Sequence, residues 1–265
     1  MMIDIHTHIL PGIDDGAGNL EDSLALARAA VAEGITGLIA TPHHADGRYM
    51  NNASFVSEQV ERLKEELAAR QIPLELFVGQ EIRVHSDMLD VWSAKELATL
   101  AGSKYILLEM PSASVPSRML EYIHEFVIMG INPIIAHPER NAEVVKYPDK
   151  LNEMIEAGAY GQMTTHSLLG GFGKQIERRA WQLCREGLIH VISSDAHHME
   201  RRGFRLREAY DRVSKELGVE IVKTYLDNSE SVISNRDLIE PSVKSNKSRG
   251  NSWFKLPNFF HNIDR

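Results

Sequence analysis

The chain is 265 residues long and carries a formal net charge of −8 at pH 7, with a sequence pI near 5.8. This length is enough for one large core, and the acidic balance argues against a protein that follows the phosphates of a nucleic acid. The only cysteine, Cys184, excludes a disulfide framework and is typical of a reducing compartment. With no recognisable leader and no apolar run long enough to cross a bilayer, the sequence predicts a cytoplasmic protein.

Seven short apolar or β-branched runs recur along the chain, and each has the length of a strand. In chain order they are 2–6, 35–41, 74–82, 105–110, 133–137, 159–165 and 188–194. Amphipathic segments at 19–34, 54–70, 116–129, 149–157, 175–186 and 204–217 separate them, the first with Asn19 as expected N-cap and Gly34 as expected C-cap. Alternating strands and helices in units of roughly 30 residues indicate a parallel sheet. Seven units predict a distorted (β/α)7 barrel, one unit short of the eight-unit form.

The composition changes near residue 241, which predicts a barrel domain at 1–240 and a C-terminal tail at 241–265. The tail is polar, with five Lys and Arg residues against one acidic residue, and it includes the aromatic residues Trp253, Phe254, Phe259 and Phe260. Such a composition favours a flexible tail. The alternative is that the aromatic and basic residues touch an anionic membrane surface or a partner protein.

Histidine and carboxylate residues directly follow nearly every predicted strand. They are His6, His8, Asp14, Asp15, His43, His44, Glu81, Glu109, His137, Asp195 and His197. Because the carboxyl ends of barrel strands meet at one mouth, these side chains are expected to converge there. A single such residue is more often structural, but an ionised carboxylate after an apolar run, such as Glu81 or Glu109, is costly to bury unless it is paired or metal-bound. The set predicts a metal site. The run 159–165 is the exception, since it offers only His166.

Residues two apart on a strand point to the same face, so His6 with His8, and Asp195 with His197, can each serve one site. His43 and His44 are adjacent and point opposite ways, so only one of them is expected to be a ligand. Nitrogen and oxygen donors favour manganese, zinc or iron over copper or iron–sulfur clusters. The number of donors suits two or three ions per chain.

The segments DIHTHILPGIDDG, ATPHH, GQEI, LLEMP, IIAHPERN and SSDAH, in this order, resemble the polymerase-and-histidinol-phosphatase superfamily. Within it they are similar to the bacterial tyrosine-protein phosphatases encoded beside capsule and exopolysaccharide genes. The HxH start is weak alone, but DDG together with AHPER and SDAH is specific to this subfamily. The resemblance extends from Met1 to about Leu238 and implies a distorted barrel with manganese in a trinuclear centre.

Carried over residue by residue, the resemblance implies nine metal ligands and two phosphate-binding arginines. The ligands are His6, His8, Asp15, His43, Glu81, Glu109, His137, Asp195 and His197. Here His43 is preferred to His44, and Asp15 is the second acid of DDG. Arg140 matches the arginine of HPER, while Arg201 and Arg202 compete for the second position, which the spacing assigns to Arg202. His166 is expected to support the site or to lie in a loop, and Arg48 with Tyr49 is a candidate lid.

The implied activity is that of a protein-tyrosine phosphatase acting on a membrane-associated tyrosine autokinase, at the inner face of the membrane. Metal-activated water is expected to attack phosphorus while Arg140 and Arg202 hold the phosphate, with Asp15 or a ligand histidine as proton donor. A cysteine-nucleophile route is excluded because Cys184 lies in a helical pattern and His190, not arginine, stands six residues later. Two alternatives stay open. They are a related phosphoesterase acting on histidinol phosphate or nucleic-acid ends, and a non-catalytic binding module braced by metal ions.

Overall fold

The computed structural model describes residues 1–242. Residues 243–265, which make up nearly all of the expected tail, lie outside the described part, so the domain boundary at 240 stays a prediction. None of the helices within residues 1–242 combines the length and the apolar composition that a bilayer-spanning segment needs.

Nine strands and ten α-helices lie in residues 1–242. The strands are β1 (Ile3–Thr7), β2 (Gly37–Ala40), β3 (His43–His44), β4 (Glu75–Val78), β5 (Glu81–Arg83), β6 (Tyr105–Glu109), β7 (Asn132–Ile135), β8 (Tyr160–Thr164) and β9 (Val191–Ser193). The α-helices are α1 (Leu20–Glu33), α2 (Ala53–Ala69), α3 (Met88–Ser93), α4 (Met119–Ile128), α5 (Ala142–Lys146), α6 (Asp149–Glu156), α7 (Thr165–Leu168), α8 (Lys174–Arg185), α9 (Leu206–Leu217) and α10 (Val219–Ile233). Two short 3₁₀ helices span Leu100–Gly102 and Pro138–Arg140.

All strand pairs are parallel, in a three-stranded sheet of order β1-β2-β4 and a six-stranded sheet of order β3-β5-β6-β7-β8-β9. The two sheets meet where the chain leaves β9. There Asp195 N donates to His6 O at 2.9 Å and His8 N donates to Ala196 O at 2.9 Å. The strands therefore occupy seven successive positions around a curled parallel barrel, which confirms the predicted fold class.

The structure adds a short strand after one of the seven predicted strands and divides another in two. The run 35–41 becomes β2, and after Thr41 and Pro42 the chain pairs again as β3; Pro42 has no N–H to donate to a ladder. The run 74–82 divides at Gly79 and Gln80 into β4 and β5, with the Gln80 amide donating to Asn51 O at 2.6 Å. The register of β3, β5 and β6 pairs His43 with Glu81 and Arg83 with Glu109. These three strands thus bring four polar residues together at the mouth.

The barrel interior and the layer between strands and helices are filled by alternate residues of the strands. In β6, Tyr105 and Leu107 belong to the inner apolar cluster, whereas Ile106 and Leu108 belong to the larger cluster under the helices. Glu109 continues the inward-facing series, so its carboxylate reaches the mouth from inside. Val232 of α10 completes the inner cluster at the opposite end, the floor of the barrel.

The six predicted helices all form, with ends that shift by at most a few residues. In α1, Asn19 caps the first turn by accepting from Asp22 N at 3.1 Å, and Gly34 ends the helix in the left-handed conformation with φ 87°. The helix α10 was not predicted. It follows α9 after the single residue Gly218, and its buried positions include Asn228 and Ser229, which hide the apolar period of the helix.

Candidate metal centre

Eight of the nine predicted ligands form three overlapping groups at the mouth, in each of which one donor atom per residue lies within 4.8 Å of the others. The groups are His6, His8, Glu81 and Asp195; His8, Asp15, His43 and His197; and His43, Glu81 and Glu109. His8, His43 and Glu81 each belong to two groups. Sharing of this kind is what a centre with more than one ion requires.

Glu81 stands at the middle of the centre and is almost wholly buried. Its Oε2 lies 3.3 Å from His6 Nε2, 3.3 Å from His8 Nε2 and 3.0 Å from His43 Nδ1. Its Oε1 lies 2.7 Å from Nε2 of His137, the ninth predicted ligand. His137 therefore reaches the centre through Glu81, although it belongs to none of the three groups.

Two buried polar groups fix the tautomers of the first histidine pair. His6 Nδ1 donates to the Gln162 side-chain oxygen at 3.2 Å, and the same oxygen accepts from His137 N at 3.1 Å. His8 Nδ1 donates to Asp14 Oδ2 at 2.7 Å. Because Nδ1 is the hydrogen-bond donor in both rings, both Nε2 atoms face the centre, where they would ligate a metal ion that displaces any proton they hold. Gln162 belongs to β8, the unit in which the sequence had indicated no ligand except His166.

The two acids of the DDG segment have different surroundings. Asp14 is largely buried against the backbone and also accepts from Gly16 N at 2.9 Å. Asp15 Oδ1 faces His197 Nε2 at 3.2 Å and His43 Nε2 at 3.4 Å, with its side chain 45% exposed. The following Gly16 is required by the close turn, because a Cβ there would lie 2.1 Å from the His8 carbonyl oxygen. The second acid thus reaches the donor set, and the first supports His8.

His43 and His44 point in opposite directions, as their position on one strand predicts. His43 belongs to two of the three groups. His44 Nδ1 instead donates to Asn51 O at 2.8 Å, on the other face of β3. The geometry therefore places His43 at the centre and His44 outside it.

Asp195 and His197 were predicted to share one face of a strand, and this reason is wrong because β9 ends at Ser193, before both residues. The backbone of Asp195 is left-handed with φ 56°, and so is that of His137 with φ 32°. Such conformations are uncommon outside glycine and mark positions that the surrounding structure constrains. Turns after the strands, not the pleat, carry these two side chains into the centre.

Arg140 and Arg202 converge on one carboxylate oxygen of the centre. Arg140 Nη1 donates to Asp195 Oδ2 at 2.5 Å, and Arg202 Nη2 donates to the same oxygen. Arg140 comes from the turn after β7 and Arg202 from the loop after β9. The neighbouring Arg201 is exposed and lines an open groove with His198 and Met199. Of the two competing arginines, Arg202 is the one at the site.

Arg83 was not recognised from the sequence, although it lies two residues after Glu81 on the same strand. Its Nε donates to Glu109 Oε2 at 2.9 Å. Burial and the nearby charge of Glu81 raise the pKa of Glu109 to about 7, and Arg83 opposes that shift. Arg83 therefore favours the ionised form of a carboxylate that would otherwise repel its neighbour.

The electrostatics and the unpaired atoms both fit a bound cation. Burial lowers the pKa of His137 and of His197 to about 4, whereas the nearby carboxylates of Asp14 and Glu81 outweigh burial and raise the pKa of His8 and, to about 10, that of His43. A cation bound at the centre would displace the extra proton from His8 and His43. His43 Nδ1, Asp195 Oδ1 and His197 Nε2 are buried without a hydrogen-bond partner. Buried polar atoms are rarely left in this state, and nitrogen and oxygen donors suit divalent cations. The residues present fit a metal centre.

The remaining candidates lie around the centre. His166 packs against Phe172, with ring centroids 6.0 Å apart, and belongs to none of the metal groups. Tyr49 lies beside His43, with ring centroids 6.3 Å apart and planes nearly parallel. Cys184 is fully buried in α8, and burial raises the pKa of its thiol to about 12. A thiol in that state is no nucleophile.

Comparison with known proteins identifies the family. The model of the family described as capsular polysaccharide synthesis, CpsB/CapC, matches residues 2–234. The chain belongs to the CpsB/CapC family.

Two relatives and one solved structure are similar to this chain. The tyrosine-protein phosphatase YwqE of Bacillus subtilis (strain 168) is 40% identical over 98% of this chain and 100% of its own. The putative tyrosine-protein phosphatase CapC of Staphylococcus aureus is 35% identical over 96% of this chain and 100% of its own. A crystal structure from work on YwqE of Bacillus subtilis and CpsB of Streptococcus pneumoniae, described as unique metal-dependent tyrosine phosphatases, matches with a TM-score of 0.89. It is 40% identical and covers 93% of this chain and 100% of its own.

Proposed function

We propose that the chain is a metal-dependent protein-tyrosine phosphatase. The observation that carries this proposal is the convergence of Arg140 and Arg202 on Asp195 Oδ2, an oxygen of the same carboxylate whose Oδ1 faces His6 and His8. A mouth that combines a cation-binding donor set with two guanidinium groups is suited to a phosphate monoester. The similar proteins YwqE and CapC support the choice of phosphotyrosine as substrate.

Manganese is the proposed metal, with two or three ions per chain and zinc or iron as alternatives. The ions would be held by His6, His8, Asp15, His43, Glu81, Glu109, His137, Asp195 and His197. When bound, such ions supply Lewis acidity, which lowers the pKa of water and neutralises charge on the phosphate. The histidine and carboxylate donors, with no thiolate among them, support this choice of metals.

The two arginines would bind the non-bridging oxygens of the phosphate. Their side chains are 24% and 26% exposed, so each can reach a ligand from the solvent side while staying anchored at Asp195. They come from different loops, which fixes the phosphate from two directions. Guanidinium groups held in place before the reaction stabilise the negative charge that grows in the transition state.

Asp15 is the proposed proton-exchanging group. The Asp15 side chain is 45% exposed, whereas the carboxylates of Glu81 and Asp195 are buried. Hydrogen bonds from His197 and His43 lower the pKa of Asp15, so this exposed carboxylate is ionised near pH 7 and its proposed part is to accept a proton from the attacking water. A ligand histidine is then the alternative proton donor to the leaving oxygen. Tyrosine leaves as a phenoxide, which requires less help from an acid than an alkoxide does.

The proposed partner is a membrane-associated tyrosine autokinase that regulates capsule or exopolysaccharide synthesis, met at the inner face of the membrane. The family description, capsular polysaccharide synthesis, supports the process. Contact with the membrane would come from residues 241–265. Deleting them should leave hydrolysis of a small aryl phosphate unchanged but slow dephosphorylation of a kinase embedded in anionic vesicles, with the difference shrinking as salt is added. Equal rates with and without these residues would remove them from the proposal.

The deciding experiment compares substrates on the manganese-loaded protein. Values of kcat/KM are measured for a phosphotyrosine peptide, histidinol phosphate and a 3′-phosphorylated DNA end. The proposal predicts that the phosphotyrosine peptide is the best substrate by at least about tenfold, a difference of about 1.4 kcal/mol in transition-state stabilisation. A preference for histidinol phosphate or DNA would assign the site to a related phosphoesterase. Turnover of none of them would favour the non-catalytic binding module.

A further inference from the structure

A glycine-rich turn beside the metal centre presents an aromatic side chain to one of the phosphate-binding arginines. The turn comprises residues 170–173, between α7 and α8. The Phe172 ring lies 5.3 Å from the guanidinium carbon of Arg140 and 6.0 Å from the His166 ring. Arg140 thus donates a hydrogen bond to Asp195 while its guanidinium group lies against the Phe172 ring.

Two glycines determine where Phe172 lies. Gly171 N donates to His166 O at 2.7 Å, and a Cβ at Gly171 would lie 3.1 Å from His166 Cδ2 and 3.2 Å from that carbonyl oxygen. Gly173 has φ 91°, a conformation that other residues adopt only with strain. The turn is therefore specified by the sequence, and yet the aromatic ring that it holds is only partly buried. Core packing alone does not account for a ring in this place.

We propose that Phe172 is a specificity-determining residue that packs against the phenyl ring of phosphotyrosine. This inference rests on the proposed function. A phosphate bound by Arg140 and Arg202 carries its phenyl ring directly on the ester oxygen, close to whatever lies beside Arg140, and that neighbour is Phe172. Aromatic pairs attract one another in offset or edge-to-face arrangements. A serine or threonine phosphate has no ring to offer, so Phe172 would favour aryl over alkyl phosphates.

Tyr49 is a second aromatic side chain at the mouth within residues 1–242, but its position is less suitable for contact with a phosphate-bound phenyl ring. Its ring lies beside His43, one of the predicted metal ligands, and its near neighbour is Arg48, with a guanidinium carbon 5.3 Å from the ring centroid. Arg48 is exposed and makes no contact with Asp195 among the interactions of residues 1–242. The arginine that converges on the centre is the one that contacts Phe172.

The test measures affinity for an aryl and an alkyl phosphonate, which are not hydrolysed. Inhibition constants of phenylphosphonate and methylphosphonate are determined for the wild-type protein loaded with manganese and for Phe172→Ala, Phe172→Tyr and Tyr49→Ala. Phe172→Ala should weaken phenylphosphonate by about two- to tenfold, the range of one aromatic contact, and leave methylphosphonate unchanged. Phe172→Tyr should retain the wild-type ratio. Phe55→Ala is the control, because Phe55 is an exposed phenylalanine in the first turn of α2 and is not among the described contacts of Arg140.

The corresponding kinetic experiment uses phosphotyrosine and phosphoserine peptides with identical flanking residues. Phe172→Ala should raise KM for the phosphotyrosine peptide with little change in kcat. If Phe172→Ala weakens the binding of both phosphonates equally, the proposal is overturned, because Phe172 then only positions Arg140. The proposal is also overturned if Tyr49→Ala, and not Phe172→Ala, selectively weakens the binding of phenylphosphonate. If the wild-type protein hydrolyses neither peptide, the proposed function fails, while the phosphonate ratio still decides the role of Phe172 by binding, measured calorimetrically.

Discussion

The mouth and the floor of the barrel both bury polar groups, but the mouth leaves donor atoms of three predicted metal ligands without a hydrogen bond, whereas Asn228 and Tyr105 at the floor are fully paired. At the floor, Asn228 Nδ2 donates to His190 O at 2.9 Å and to Ile239 O at 2.8 Å, and its Oδ1 accepts from Ile239 N at 2.7 Å. Tyr105 Oη donates to Arg236 O at 2.7 Å. At the mouth, His43 Nδ1, Asp195 Oδ1 and His197 Nε2 have no such partner.

The paired groups at the floor contribute to stability, whereas the unpaired donor atoms at the mouth are available for function. A buried polar group with all its partners helps to hold the chain together, whereas one left without a partner costs free energy unless something else binds it. The floor should therefore respond to mutation through stability alone. The mouth should respond through metal content and turnover, and its stability should change only by the amount that the lost ions contributed to the folded state.

The largest effect is expected for Glu81→Ala, because Glu81 belongs to two donor groups and also contacts His137. Metal content should fall by at least one ion per chain, and kcat/KM for a phosphotyrosine peptide should fall by about 10³-fold, the upper range for lost charge stabilisation at a reacting centre. Elemental analysis and steady-state kinetics measure both. Glu75→Ala, an exposed glutamate on β4, serves as the control and should change neither. A fully active Glu81→Ala protein with its metal intact would contradict the assignment of the mouth.

Arg140→Ala and Arg202→Ala should each lower kcat/KM by about 10²-fold, since each removes one charge-assisted contact to the phosphate. Metal content should stay at the wild-type value, because arginine does not ligate the ions. Arg201→Ala is the matched neighbour and should change kcat/KM less than about twofold. If Arg201→Ala lowers kcat/KM as much as Arg202→Ala does, the assignment of phosphate binding to Arg202 alone in the loop after β9 is wrong.

Gln162→Leu should weaken metal binding by about 10- to 100-fold, the usual cost of removing a group that orients a ligand histidine. The reason is that its side-chain oxygen accepts from both His6 Nδ1 and His137 N. Titration with manganese, followed by the gain of activity, gives the affinity. Gln175→Leu, at an exposed position of α8, should leave the titration unchanged. An unchanged titration for Gln162→Leu would show that β8 has no part in the centre.

Asn228→Ala tests the floor. It leaves the buried backbone oxygen of His190 without this partner and removes two partly buried hydrogen bonds to Ile239, so the free energy of unfolding should fall by about 1–3 kcal/mol. Denaturant unfolding measures that loss, and kcat/KM at 25 °C should be unchanged within about twofold. Asn152→Ala, which loses only an exposed hydrogen bond to Glu156, should cost less than about 0.5 kcal/mol. Loss of metal in folded Asn228→Ala would mean that the two ends of the barrel are coupled.

The smallest effect on turnover is expected at Cys184. Because burial raises the pKa of its thiol to about 12, only about one thiol in 10⁴ is ionised at pH 8, and iodoacetamide should not react with the native protein. Cys184→Ser should keep kcat/KM within about twofold and form no phosphoenzyme. Rapid alkylation that abolishes turnover would replace the metal mechanism by a thiol mechanism.

Much of the fold and of the donor set follows from short-range patterns in the sequence. Strand-length apolar runs and amphipathic segments predict the barrel, and residues such as His6, Glu81 and Glu109 are recognisable because they end those runs. The pleat predicts that His6 and His8 share a face and that His43 and His44 do not. These inferences need only the spacing of residues along one strand.

The remainder depends on contacts between distant parts of the chain. Gln162 carries no local signal that it supports His6, because the two residues are far apart in the sequence. Asp14 stood among the candidate site residues, but its hydrogen bond to His8 depends on the close turn at Gly16. The left-handed turns at His137 and Asp195 replace the strand geometry that the spacing assumed. In α10, the buried Asn228 bonds backbone groups of His190 and Ile239 at the floor, and a polar residue at a buried position interrupts the apolar period of the helix. The proposed role of Phe172 could not be predicted from the sequence, because it depends on the position of the Phe172 ring beside Arg140.

The central claim is that the unpaired donor atoms of the mouth hold metal ions and that the ions are needed for phosphatase activity. It is tested most directly by measuring metal content and phosphotyrosine-peptide turnover on the same sample, before chelation, after chelation and after manganese is restored. The account predicts two or three ions per chain at the start, loss of turnover in step with loss of the ions, and recovery of both with manganese, while the protein stays folded throughout. Full turnover in protein shown by elemental analysis to contain no metal would contradict it.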